Sequence, residues 1–181
     1  MLRVTIPATE RYDEENEEFI NTKEQTLQLE HSLVSLSKWE AKWKKPFLSK
    51  DIKTHEETVD YIRCMTITQN VDPNVYDNIP DSVITKVNEY ISDPMTATWF
   101  NEKNAKGKGG GSSEQTTSEL IYYWMISFNI PFDCQKWHLS RLMTLIKVCE
   151  AKNQPSKKMS RRETANQYRA LNAARRKGKR G

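Results

Sequence analysis

The residues able to ligate a metal or move a proton are few and scattered along the chain. The histidines are His31, His55 and His138. No HxxxH or HExxH spacing sets two imidazoles on one helical face, so no metal site is expected. Cys64, Cys134 and Cys149 are odd in number, lack the paired spacing of a zinc site and each fall inside an apolar helical pattern. They read as reduced core thiols. No Gly-x-Ser-x-Gly turn, no serine or cysteine beside an evident base and no isolated carboxylate pair in an apolar setting occurs. The Gly-rich stretch NAKGKGGGSSEQ (104–115) lacks the Gly-Lys-Ser/Thr of a phosphate loop, and no apolar strand precedes it. Its composition predicts a mobile loop instead. The expectation is a protein without catalytic residues or cofactors, one that works by binding.

Binding chemistry is better represented. Trp39 and Trp43 stand at i and i+4 on one helical face. Two indoles there can stack on bases or grip a partner, though two on one helix face more often build a core or a helix interface. The C-terminal segment from Lys152 to Gly181 carries eleven Lys and Arg against one acid, Glu163, for a local charge of +10, which leaves −6 on the remainder. Within it Tyr168 and Leu171 mark a thin apolar stripe among Arg161, Arg162, Arg169, Arg175 and Arg176. These seven residues and the two tryptophans are the candidate partner-binding set. The basic segment would also contact nucleic acid weakly and in a salt-dependent way, by releasing counterions from phosphates.

The elements that must position these groups are mainly helical. Leu2, Val4 and Ile6 alternate with polar residues, Phe19 and Ile20 follow an acidic run, and Leu27 and Leu29 alternate again. This predicts a small antiparallel β element of two or three strands over residues 1–31. The acids from Asp13 to Glu18 read as a solvated loop that protects a strand edge. From Ser32, a plausible N-cap, the period becomes helical through Leu33, Leu36, Trp39, Ala41 and Trp43, to end by Lys45. Thr54 and Glu57 form a capping box for a helix burying Thr58, Val59, Ile62 and Met65. Pro80-Asp81-Ser82 opens a helix burying Val83, Val87, Tyr90 and Ile91, which Pro94 stops. Met95 to Phe100 reads as a short apolar segment.

The apolar mass peaks in Ser118–Asn153. Thr117 or Ser118 caps a helix with Leu120, Ile121, Trp124, Met125 and Phe128 along one side, and Asn129-Ile130-Pro131 closes it. A second helix is expected near Asp133, carrying Leu139, Leu142, Met143, Ile146 and Cys149. A link of about four residues would make the two a hairpin. A DNA-reading helix-turn-helix is the weaker reading, because the second helix is too apolar to lie in a groove. The tail predicts one further helix from Ser160, with Glu163 completing its capping box.

The fold expected is therefore mainly α: a compact bundle of short helices around a C-terminal helical hairpin, with a small N-terminal antiparallel β element. The domain division is 1–31, 32–153 and a basic tail 154–181. Length allows one main domain, and a charged fraction of 29% against 36% apolar residues predicts much exposed helix. No run of some 18 apolar residues and no signal-peptide pattern occurs, so a soluble protein with no membrane contact is expected.

Taken together, TLQLEHSLVSLSKWEAKWKKPFL, VDYIRCMTITQNV, MTATWF, SELIYYWMISFNIPFDCQKWHLSRLMTLIKVC and KKMSRRETANQYRALNAARRKGKRG resemble a family encoded in the tail modules of long-tailed bacteriophages. These are the tail assembly chaperones, and the resemblance covers nearly the whole chain. It implies a helical, non-enzymatic protein that binds the tape measure protein or tail tube subunits in the cytoplasm of the infected bacterial host, with a homo-oligomer allowed. It maps no catalytic residue. The alternatives are a virion structural protein of the tail or head-tail connector, located in the virion, and a nucleic-acid-binding accessory protein acting through the basic tail.

Overall fold

A computed structural model describes residues 1–13, 17–98, 115–153, 165–166 and 168–169. The chain divides into two compact units, Met1–Cys149 and Glu150–Gly181. The first is mainly α with a small antiparallel β element.

The β element is a ribbon of two chain segments folded back on each other. Strands β1 (Leu2–Ile6) and β4 (Gln25–Leu29) form one antiparallel ladder, and β2 (Thr9–Asp13) and β3 (Glu18–Thr22) form another. Both keep one register, with Leu2 opposite Leu29, Ile6 opposite Gln25, Thr9 opposite Thr22 and Tyr12 opposite Phe19. The ribbon is interrupted at Pro7, which has no N–H to donate. Alternation in the inner ladder sends Val4, Ile6, Leu27 and Leu29 into the core. The outer ladder leaves Tyr12 and Phe19 exposed, their rings 5.0 Å apart. Four strands in two ladders thus replace the expected two or three. Residues 1–31 also share one core with the helices instead of standing apart.

Helix α1 (Leu33–Trp43) begins at the expected cap: Ser32 Oγ accepts the Ser35 N–H, and Ser35 Oγ accepts that of Ser32. It ends where Lys44 turns left-handed at φ 55°, its N–H reaching the Glu40 carbonyl. Helix α2 (His55–Met65) starts with the reciprocal Thr54–Glu57 box. Its buried face differs from expectation. Ile62 and Met65 are buried, but Thr58 and Val59 are only half so, and Glu57, Asp60 and Tyr61 take the inward positions. The reason is α1 and the residues just after it: Lys42 and Trp43 supply partners for Asp60, and Lys45 for Glu57. A 3-10 turn, Pro73–Asn78, places Val75 and Tyr76 in the core. Helix α3 (Asp81–Ser92) follows Pro80 and buries Val83, Val87 and Tyr90, with Ile91 packed at its edge.

Helix α4 (Ser118–Ser127) is capped by Thr117 and buries Ile121 and Met125. Trp124 and Phe128 are only half-buried. The chain then turns through Asn129 at φ 53° and a 3-10 turn, Phe132–Lys136, before α5 (Leu139–Asn153). The link is longer than a four-residue hairpin turn because His138 pairs with Ser32 as an isolated antiparallel bridge, and the Leu139 N–H donates to the His31 carbonyl at 2.7 Å. These bonds hold the chain extended until α5 can start. Helix α1 packs against α2, α4 and the 3-10 turn before α5. It, more than the C-terminal pair of helices, is what the other elements gather around. The Gly-rich stretch 104–114 and the start of the tail helix lie outside the described residues.

Candidate functional site

The two tryptophans lie in the seam between α1 and α2. Trp39 is 1% exposed, its indole N–H donating to the Glu57 carbonyl at 2.9 Å. It is a core residue and is withdrawn from the partner-binding set, because no partner can reach a ring already enclosed by Trp43, Phe47 and α2. Trp43 is half-buried. Its N–H donates to Asp60 Oδ2 at 2.9 Å, and Lys42 Nζ meets the other oxygen, Oδ1, at 2.5 Å. Lys45 pairs with Glu57 at 2.6 Å and lies over the Trp43 ring. The Lys45 ammonium and the Thr54 amide hold the Glu57 carboxyl below the usual carboxylate range. Each carboxylate that α2 turns inward is thus matched by donors, Asp60 by Lys42 and Trp43 of α1 and Glu57 by Lys45 just beyond it, as buried charge requires.

Of the tail candidates, Tyr168 and Arg169 are helical and exposed. Arg161, Arg162, Leu171, Arg175 and Arg176 lie outside the described residues.

Two features carry no signal in the sequence pattern. One is Glu40, a glutamate in a lysine-rich helix that reads as a solvated position and is in fact buried. The other is a pair of histidines more than a hundred residues apart. The rings of His31 and His138, both buried, stand 5.1 Å apart and nearly edge to face. His31 Nδ1 shares a hydrogen bond of 2.5 Å with the Tyr61 hydroxyl. Ser35 Oγ, 3.4 Å from that hydroxyl, gives its own hydrogen to the Ser32 carbonyl. The Ser35–Tyr61–His31 chain therefore ties the α1 cap to α2. Beside His31 a cleft of about 420 Å³ opens, lined by Phe47, Leu48, Ile91, Leu139 and Met143 among others. Among the described residues no three His, Cys, Asp or Glu gather around one point. Cys64, Cys134 and Cys149 are all free thiols, and burial pushes that of Cys64 up.

The surface with the clearest binding character is the outer face of α4. Its sequence SELIYYWMIS has one charge, Glu119, and apolar residues on every side. A helix apolar all round is normally enclosed, yet here Tyr123 is 63% and Ile126 60% exposed. Phe132 of the following 3-10 turn, 56% exposed, lies beside Tyr122 with ring centroids 6.3 Å apart. The helical series Leu120, Ile121, Trp124, Met125 and Phe128 marks the inward side of this helix, and the bare positions Tyr123 and Ile126 fall outside it.

Comparison with family models, with curated proteins and with solved structures finds no match. Among the described residues no helix is long and apolar enough to cross a membrane.

Proposed function

We propose that this protein is a non-enzymatic assembly factor of the phage tail module, binding the tape measure protein or tail tube subunits in the host cytoplasm. The observation that carries this reading is the bare apolar face of α4, Tyr123 and Ile126 with Phe132 beside it. An exposed apolar helix face suits the stripe of a long partner helix, which would lie with its i, i+3, i+4 and i+7 anchors against it. Trp43 at the α1–α2 seam and the basic tail, with Tyr168 and Arg169 exposed, would add further contacts. A compact bundle in which α4 and α5 form the C-terminal hairpin belongs to the same proposal, as a rigid platform for that face.

Co-expression with the tape measure protein tests it. The partner's soluble fraction should rise with the wild-type chain and fall back with Tyr123→Ser/Ile126→Ser. If solubility does not rise, and this protein is instead recovered at stoichiometric copy number from purified virions, the structural-subunit reading takes its place.

The +10 charge of residues 152–181 favours a second reading, a nucleic-acid-binding accessory role. Its test is retention on duplex DNA at moderate salt, which must disappear when residues 156–181 are removed.

A further inference from the structure

Two imidazoles meet at the β4–α1 junction, and among the described residues neither has a carboxylate at hydrogen-bonding distance. His31 ends the strand segment leading into α1, and His138 immediately precedes α5. The bonds between their backbones, the Ser32–His138 bridge and Leu139 N–H to His31 carbonyl, fix the start of α5. His138 Nε2 lies 3.0 Å from the Tyr90 carbonyl on α3. A carbonyl only accepts, so Nε2 carries the proton and Nδ1 is bare in the neutral ring. That Nδ1 is buried and has no hydrogen-bond partner. Protonating it would create a buried N–H with nothing to receive it, 5.1 Å from a second imidazole.

We propose that the His31–His138 pair is a pH-sensitive latch, which holds the start of α5 against the β4–α1 junction while both rings are neutral and releases it when either is protonated.

The groups facing the pair come from every neighbouring element. Tyr61 of α2 bonds His31, and the rings of Phe47 and Tyr61 close around it. Glu30, one residue before His31, is occupied by the Met1 ammonium at 3.0 Å and the Tyr90 hydroxyl at 2.7 Å. Asp93 lies just beyond α3, and Lys147 of α5 lines the cleft that His31 also lines. Burial, with His138 beside it, pushes His31 down to about 3. Burial also lowers His138, outweighing the Tyr90 carbonyl, Glu30 and Asp93, which favour its charged form.

The direction follows from linkage. In the unfolded chain both rings take up protons below their ordinary value of 6.5, while the latched state excludes them. Stability is therefore complete above that pH and declines as pH falls below it. For His31 alone, the folded-to-unfolded ratio should fall roughly thirtyfold between pH 7.5 and 5.0.

The test combines hydrogen exchange with direct titration of the wild-type chain. At pH 5.0 the Leu139 amide should lose protection ahead of amides inside α1 and α2, once exchange rates are corrected for intrinsic pH dependence. The ring resonances of His31 and His138 should not titrate near 6.5 while the chain is folded. His31→Gln and His138→Gln should each flatten the dependence of stability on pH between 7.5 and 5.0. Uniform loss of protection across the core, or either ring titrating near 6.5 in the folded chain, would overturn the latch. An unchanged pH slope in both variants would overturn it as well.

Discussion

Glu40 Oε2 accepts the backbone N–H of Ser118 at 2.7 Å, so a side chain on α1 satisfies the first turn of a helix 78 residues further on. Its other oxygen, Oε1, accepts the N–H of Phe47 at 2.8 Å. One buried carboxylate thereby fixes both the loop that leaves α1 and the start of α4. Glu40→Gln keeps the shape but offers one acceptor in place of two and sets an NH2 against a backbone N–H. It should cost about 1–3 kcal/mol, read as a lower urea midpoint with an unchanged slope.

Trp39 and Trp43 should separate cleanly in stability measurements. Trp39→Ala removes an enclosed indole and should cost about 3–5 kcal/mol, enough to leave the protein largely unfolded if its total stability is ordinary. Trp43→Ala removes a half-exposed ring and should be milder, lowering the thermal midpoint while the chain stays folded. Equal losses at the two positions would show that the seam is more enclosed around Trp43 than described.

The acid limb of the stability curve should carry the mark of Glu57. Its carboxyl titrates below its ordinary value in the folded chain, chiefly through Lys45 and the Thr54 amide. That contribution is complete above the unfolded value of about 4.3 and is lost as pH falls through the folded one. Lys45→Met should flatten this limb and leave the decline between 7.5 and 5.0 intact, since that belongs to the histidines. Denaturation midpoints from pH 2.5 to 7.5 check both limbs on the same samples.

Removing the cross-strand ring contact by Phe19→Thr should change stability by less than about 1 kcal/mol. Phe19 and Tyr12 touch each other and are otherwise exposed, so the core residues Val4, Ile6, Leu27 and Leu29 stay covered. A loss of several kcal/mol in thermal unfolding would mean that the outer ladder supports the core.

Truncation before Ser156 should leave the thermal midpoint and helical content of Met1–Cys149 unchanged, because among the described residues that unit contains the buried core. Circular dichroism of the truncated chain checks this. The same truncation should abolish any duplex binding, which is read by retention at increasing salt.

What the sequence determined by itself was local. The Ser32 and Thr54 caps, the α4 cap to within Thr117 or Ser118, and the α3 start after Pro80 are read from residues a few positions apart, and so is the alternation of Val4, Ile6, Leu27 and Leu29. Such features depend on backbone groups within one turn or one strand pair. Tertiary structure decided which amphipathic residues went inside. Trp39 became core, Trp124 stayed half out, and Glu57 and Asp60 turned inward because α1 and the Lys45 that follows it brought donors to meet them. It also chose α1 as the centre, through the bond from Glu40 to Ser118, and brought His31 to His138 across the whole helical region. A buried charge is stable only beside a specific partner, and when that partner comes from a different element no periodicity announces it. For α4 the periodicity of Leu120, Ile121, Trp124, Met125 and Phe128 gave the inward side, while the depth of burial, complete at Ile121 and Met125 but partial at Trp124 and Phe128, was set by what packs there.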